Sequence, residues 1–278
     1  MTAPDLGLGR PGGGAERQKV PSGPVWALRD SWAEALRHLR AMPRNPDLLV
    51  FCIVQPIMFV VLFAYVFGDS IKVPGYPDYL QYLMPGLFAQ SMVFNSNYTG
   101  VGVAEDRATG FLDRLRTLPM FPAGVLVGRT ISDLVRNVGT LMVMFAVGYL
   151  VGFRVEGSFG GALVATLLLL AFGYAFSWIQ ALIGLAASSA EAAASAGFIW
   201  MFPLTFVSSA FVDPSSMPTA FEWFAEVNPV TALSDACRDL YNGASPGADL
   251  WIAIAWAVAI TAVFATLAGR RFHRSTPR

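Results

Sequence analysis

Two lysines, two histidines and two cysteines in 278 residues leave little material for bond-making chemistry. A phosphate-binding loop needs Gly-Lys followed by Ser or Thr. Lys19 is followed by Val20 and Lys72 by Val73, so the chain has no such site and cannot split ATP by that machinery. Zinc sites need clustered His and Cys, whereas His38 and His273 stand near opposite ends, and Cys52 lies in an apolar stretch that Cys237 is outside. No internal disulfide and no metal are expected. What remains are ionic and amide groups suited to contact and motion.

The ionic groups concentrate between Val103 and Arg136. Glu105, Asp106, Arg107, Asp113, Arg114 and Arg116 surround an apolar stripe of Phe111, Leu112, Leu115 and Leu118. The segment reads as a short helix from about Val103 to Leu118, ended by Pro119, with Gly110 permitting a bend or a close approach. So short a helix cannot cover its own stripe, which leaves membrane or a partner protein to do so. Further on, Arg129, Asp133 and Arg136 recur at i, i+4 and i+7, placing a carboxylate between two guanidinium groups at the inner end of a span. That spacing predicts a structural ladder before it predicts a site.

The amides concentrate in the run Gln90, Ser91, Asn95, Ser96, Asn97, Tyr98 and Thr99, with Gln55 ahead of Pro56. Polar groups facing lipid are costly, so these should face other helices or a hydrated path. Gln90, Phe94 and Asn97 fall on one helical stripe with Asn95 beside it. Gln55, Gln90, Phe94, Asn95 and Asn97 are therefore candidates for a transport path or a dimer seam, with helix-packing contacts as the plainer reading. Gln55-Pro56, Pro85-Gly86 and Pro203 are expected to break three of the spans.

These groups sit in a chain that is 55% apolar and 14% charged, with a mean hydropathy of +0.52. Charge is absent from Asp47 to Asp69, Asp78 to Glu105, Arg136 to Arg154, Glu156 to Glu191, Glu191 to Asp213 and Asp249 to Arg270. A bilayer core of ~30 Å takes about 20 apolar helical residues. Six spans follow, at about 48–68, 79–101, 127–153, 161–185, 194–212 and 250–269. Sixteen of the 19 basic residues fall in the N-terminal tail, the charged arm with the start of the third span, or the C-terminus; Lys72, Arg154 and Arg238 make up the other side. The positive-inside rule then puts both termini in the cytoplasm and Cys237 outside, open to reagent. The zero net charge gives no indication of a nucleic-acid partner.

Residues 1–23 are Gly- and Pro-rich and read as a disordered cytoplasmic tail ahead of a membrane domain over 24–278. From Pro24, Val25, Leu28, Trp32, Leu36 and Leu39 recur at helical spacing, with Arg29, Arg37 and Arg40 on the other face; this predicts an interfacial helix. It serves either as a membrane anchor or as a lever touching a cytoplasmic partner. Between spans five and six, 217–227 and 231–241 read as two short amphipathic helices split by Asn228-Pro229, a re-entrant hairpin in the outer leaflet.

Residues 44–68, then GFLDRLRTLPMFPAGVLVGRTISDLVRN at 110–137, then NPVTALSDACRDLYNG at 228–243 resemble the membrane permease of daunorubicin-resistance-type exporters, in the type-2 branch of ABC transporter permeases. The resemblance covers about residues 25–270. It implies an all-α, six-span permease in the bacterial inner membrane that exports a hydrophobic or amphipathic compound. It implies pairing with a second permease copy, identical or related, and two copies of a separate ATP-binding subunit that carries the ATP and Mg. In that family the interfacial helix (Trp32, Leu36, Arg37, Arg40) and the arm contact the ATPase; here the arm would be Glu105, Asp106, Arg107, Gly110, Phe111, Asp113, Arg114, Leu115 and Arg116. Two rival readings are a stand-alone sodium-coupled or facilitative carrier, which calls for an internal repeat not evident here, and a membrane assembly factor, which has no use for a polar second span.

Overall fold

The computed structural model describes residues 46–67, 76, 78–111 and 122–274. Every element among them is helical. Helix α1 (Pro46–Leu62) runs into a π-helical turn (Phe63–Phe67); then come α2 (Tyr79–Asn95), α3 (Asn97–Ala108), α4 (Pro122–Val151), α5 (Phe159–Ala186) and α6 (Ala190–Phe206). A 3-10 turn (Pro214–Ser216) leads to α7 (Thr219–Glu226), α8 (Pro229–Asn242) and α9 (Ala248–Arg274). The expected tail and interfacial helix, with Trp32, Leu36, Arg37 and Arg40, lie outside the described residues, as do Asp113, Arg114, Leu115 and Arg116 of the arm.

Leu126–Val151, Phe159–Ala186 and Ala248–Phe272 are each long and apolar enough to cross a membrane. Their outward faces carry exposed Met142, Leu150, Leu163, Leu167, Trp251 and Val258, an arrangement that water would penalise and lipid would not.

The three prolines do not break their helices: Pro56, Pro85 and Pro203 sit inside α1, α2 and α6. Each removes one backbone bond, a loss that neighbouring helices absorb when packing dominates. The second span breaks instead at Ser96, whose hydroxyl turns back onto the Val93 carbonyl at 2.5 Å and competes with the helical ladder. Beyond that break α3 continues without interruption through Val103, so the arm does not begin as a helix of its own. It ends at Ala108, Phe111 is helical again, and the rest of the expected arm helix, 112–118, lies outside the described residues. The Thr109 hydroxyl donates to the carbonyls of Glu105 and Asp106 at 3.0 and 3.2 Å, and Gly110 adopts a φ of 68°, which suits glycine alone. Among the described residues no atom lies within 4 Å of where a Gly110 Cβ would stand, so what calls for glycine there is the bend.

Helix α5 is the central element, packed by α2, α3, α4, α8 and α9. Its crossing with α3 is backbone-close: a Cβ on Gly184 would stand 2.3 Å from the Gly100 carbonyl oxygen. Small residues at such crossings let membrane helices gain dispersion contacts that lipid cannot supply. At the other end of α5 the core is aromatic, with Tyr241 of α8 edge-on to Phe88, Phe145 and Phe153 at 6.0, 5.5 and 6.2 Å between centroids.

Helix α6 stops at Phe206 and not at 212, leaving 207–213 without a helical ladder. The two hairpin helices form where the sequence placed them. Asn228 Oδ1 accepts from the Val230 amide at 2.8 Å, Pro229 opens α8, and Gly243 closes it at a φ of 78°. Helix α7 exposes Phe221, Trp223 and Phe224, whereas α8 is buried against α2, α5 and α9.

Candidate functional site

The arm is fastened to the helix bundle through its own charges. Arg129 reaches Asp106 at 2.6 Å, joining α4 to the last turn of α3. Arg107 donates to the carbonyls of Leu185 and Ala187, both at 3.0 Å, and Arg271 of α9 approaches the Leu185 carbonyl at 3.4 Å. The last carbonyls of a helix have no partner within it and carry the negative end of its dipole, so two guanidinium groups at the end of α5 satisfy both needs. Glu105 is left exposed, and Gly110 and Phe111 are half-buried where the description of the arm ends.

This geometry corrects the ladder expected on α4. Asp133 does not lie between two guanidinium groups: it pairs with Arg136 at 2.8 Å, while Arg129 turns away to Asp106. The spacing i, i+4, i+7 puts the three on one face, but a carboxylate on a neighbouring helix outcompetes the one in sequence. Asp133 is 3% exposed and also accepts from the Thr99 hydroxyl of α3. Arg136 donates to the Asn95 carbonyl at 3.2 Å and lies 5.3 Å from the Tyr98 ring centroid. The Asn95 amide donates to Thr140 at 3.1 Å. An ion pair within the membrane-length stretch of α4 thus holds α4 to both sides of the Ser96 break.

The amide candidates separate into two places. Gln55, Pro56, Phe59, Gln90, Ser91, Phe94 and Asn95 line one crevice between α1 and α2. Its wall continues along α6, where Phe94 meets Phe202 at 5.1 Å and Phe198 at 6.1 Å. Gln90 Nε2 is buried with no hydrogen-bond partner among the described residues. Asn97 belongs elsewhere. Its Oδ1 lies 2.2 Å from where a Cβ on Gly197 would be, beside the Gln180 amide, so it faces α5 and α6. Asn97 lies one turn beyond Phe94 and, like it, meets α6, but it stands outside the lining of the crevice.

Cys237, expected to be open to reagent, is fully buried, with Sγ 3.7 Å from the Ala165 carbonyl, and burial pushes its thiol far above the usual range. Next to it, Arg238 is 2% exposed. Counted in sequence as an outer-face charge, it is a buried hub; the signal for it was the i, i+3 pair Asp235-Arg238 within an apolar helix face. Burial raises the Asp235 carboxyl above its ordinary value, and Arg238 and the Ser209 hydroxyl partly offset that rise. The run Gly243-Ala244-Ser245-Pro246-Gly247 has the spelling of a nucleophile elbow, but it is an exposed loop between two helices and lacks the strand-to-helix setting that such a serine requires.

Comparison with known proteins agrees with this architecture. The chain is 33% identical to the daunorubicin resistance ABC transporter permease protein DrrB1 of Streptomyces coeruleorubidus, over 85% of this chain and 83% of that protein. It is 22% identical to the probable doxorubicin resistance ABC transporter permease protein DrrC of Mycobacterium tuberculosis, over 86% and 87%. It is also 22% identical to the probable multidrug ABC transporter permease YbhR of Escherichia coli, over 71% of this chain and 53% of that one. The family profile described as ABC-2 type transporter matches residues 31–241. With its lipid-facing helices and an arm tied to the last carbonyls of α5, this chain is a membrane protein that belongs to the ABC-2 type transporter family.

Proposed function

We propose that the chain is the permease subunit of an ATP-driven exporter of a hydrophobic or amphipathic compound, driven by a separate ATP-binding subunit. The observation that carries this reading is the fastening of the arm. Asp106–Arg129 and the Arg107 contacts to Leu185 and Ala187 make α3, α4 and α5 one lever, so a force applied at the arm reaches the bundle core. The exposed Glu105, together with Phe111, Asp113, Arg114, Leu115 and Arg116, forms the docking surface beyond that fastening. Trp32, Leu36, Arg37 and Arg40 extend it along the inner interface. ATP and Mg reside on the partner, since neither lysine sits in a phosphate-binding loop.

Six spans suit the helices. They are α1 with its π turn, α2 with the first turns of α3, α4, α5, α6 with the turn after it, and α9, with α7 and α8 on the outer side and both termini in the cytoplasm. The bacterial inner membrane is the compartment, and two permease copies with two ATP-binding subunits make the complex. The crevice of Gln55, Gln90, Phe94 and Asn95 supplies a path or seam in which amides meet aromatic rings, a lining suited to an amphipathic molecule.

The test is reconstitution. The purified chain alone should hydrolyse no ATP above background, and export of a fluorescent amphipathic compound from vesicles should appear only with a co-expressed ATP-binding subunit. Sodium-dependent export by the chain alone would establish the carrier reading instead.

A further inference from the structure

The segment 207–213 is non-helical, yet Ser208, Ser209, Ala210 and Phe211 are buried. Side chains do the work that a backbone ladder does elsewhere. The Tyr79 hydroxyl donates to the Phe211 carbonyl at 3.0 Å and the Tyr82 hydroxyl to the Ser209 carbonyl at 2.8 Å. Asn228 Nδ2 donates to the carbonyls of Leu204 and Val207, both at 2.7 Å. Non-helical backbone at membrane depth persists only when its polar groups are satisfied in this way.

Arg238 is the centre of that arrangement, and it uses all three of its nitrogens. Nε donates to the Tyr82 carbonyl at 2.7 Å; Nη1 donates to the Ser209 hydroxyl at 3.2 Å and to Asp235; Nη2 donates to the carbonyls of Ser209 and of Ala210, the latter at 3.3 Å. The guanidinium also lies 3.7 Å from the Tyr82 ring centroid. These bonds join three elements: α2, the segment after α6, and α8. The backbones fit closely as well, since a Cβ on Gly86 would stand 2.0 Å from the Ala210 carbonyl oxygen. The cluster sits at the end of the bundle opposite the arm, because α8 packs on the first turns of α5 and Arg107 on its last.

Apolar side chains would hold a permanently closed junction at least as well as a buried charge. A fork of directional bonds differs in one respect: each can be exchanged for water when the junction opens and remade when it closes. We propose that Arg238 is a positioning residue for the outward step of transport, a latch that holds 207–213 and α8 against α2 and lets go when the outer end opens. The link to an ATP-driven cycle rests on the exporter reading; the latch itself does not.

Cys237 faces the Ala165 carbonyl of α5, away from the junction, so the reporter is placed at Ser208, which is fully buried in the held segment. The experiment uses a Ser208→Cys chain lacking both native cysteines, co-expressed with its ATP-binding subunit, reconstituted in vesicles and treated with a membrane-impermeant maleimide. Labelling at position 208 should be slow without nucleotide and faster during ATP turnover. Loss of a hydrogen bond to a charged group should raise the nucleotide-free rate about tenfold in Ser209→Ala and in Arg238→Lys, in complexes that assemble at the wild-type yield. An unchanged nucleotide-free rate in the assembled variants overturns the latch, and a loss of yield with unchanged labelling of what assembles does the same by reducing Arg238 to a structural role. If Arg238→Lys does not assemble, Ser209→Ala decides alone, since it removes one hydroxyl and no charge. Variants that label faster while the wild type ignores ATP keep the latch and refute its link to an ATP-driven cycle.

Discussion

Arg129 and Asp106, 23 residues apart and on different helices, form a 2.6 Å ion pair that ties the end of α3 to the start of α4. Both side chains keep some solvent contact, at 15% and 19% exposure, so the pair is a fastening with moderate energy. Asp106→Asn should cost about 1–2 kcal/mol by leaving Arg129 without its carboxylate. The exchanged pair Asp106→Arg with Arg129→Asp should recover part of the loss. Thermal unfolding in detergent measures the stability, and export per assembled complex measures whether the lever still transmits.

The ion pair of Asp133 and Arg136 is more deeply buried than that of Arg129 and Asp106, with the carboxylate side chain at 4% exposure. Removing one partner of a buried pair leaves an uncompensated charge and costs about 3–5 kcal/mol. Asp133→Asn should therefore cut the amount of folded protein in the membrane much more than Asp106→Asn does. Equal yields for the two variants, read by fluorescence-detected size exclusion, would falsify the ranking.

Phe111 and Leu115 belong to the stripe proposed above to dock the ATP-binding subunit. Replacing both with Asp should leave the chain inserted but lower its co-purification with the ATP-binding subunit at least tenfold, since a charge buried at a contact is costly. Recovery of the complex at unchanged yield would show that the stripe faces lipid.

Gln90 and Asn97 each bury a polar atom, Nε2 and Oδ1 respectively, with no partner among the described residues. Leucine at either position removes an unsatisfied group, so stability should hold or rise by about 1 kcal/mol. Export should separate them: Gln90→Leu alters the crevice and should reduce export per complex, while Asn97→Leu alters the α5–α6 contact and should leave it intact. The reverse pattern would move the path to the Asn97 side.

Topology needs exposed reporters, because Cys237 is buried. In a chain lacking both native cysteines, Ser215→Cys should react with an impermeant maleimide on intact cells. Ser188→Cys, exposed at the arm's end of α5, should react only after permeabilisation. Labelling in the opposite order would invert the orientation inferred from the arginines.

Much of the fold was legible because the bilayer leaves a helix few options. Charge-free windows of membrane length located α5 and α9 to within a few residues, a shorter one extended by 125–135 located α4, and Asn228-Pro229 and Gly243 marked the ends of α8 through local capping chemistry. The absence of a lysine-bearing phosphate loop was equally a property of sequence alone. The helix breaks were not legible. Proline signals a lost bond, yet Pro56, Pro85 and Pro203 stayed helical because packing outweighed that loss, while the break fell at Ser96, where a hydroxyl turned back on its own helix. Partner choice among charges was beyond reach for a similar reason. Periodicity reports which residues share a face, and only the tertiary structure brings a better partner to it: Asp106 to Arg129, the Leu185 carbonyl to Arg107, and a stretch of unladdered backbone to Arg238.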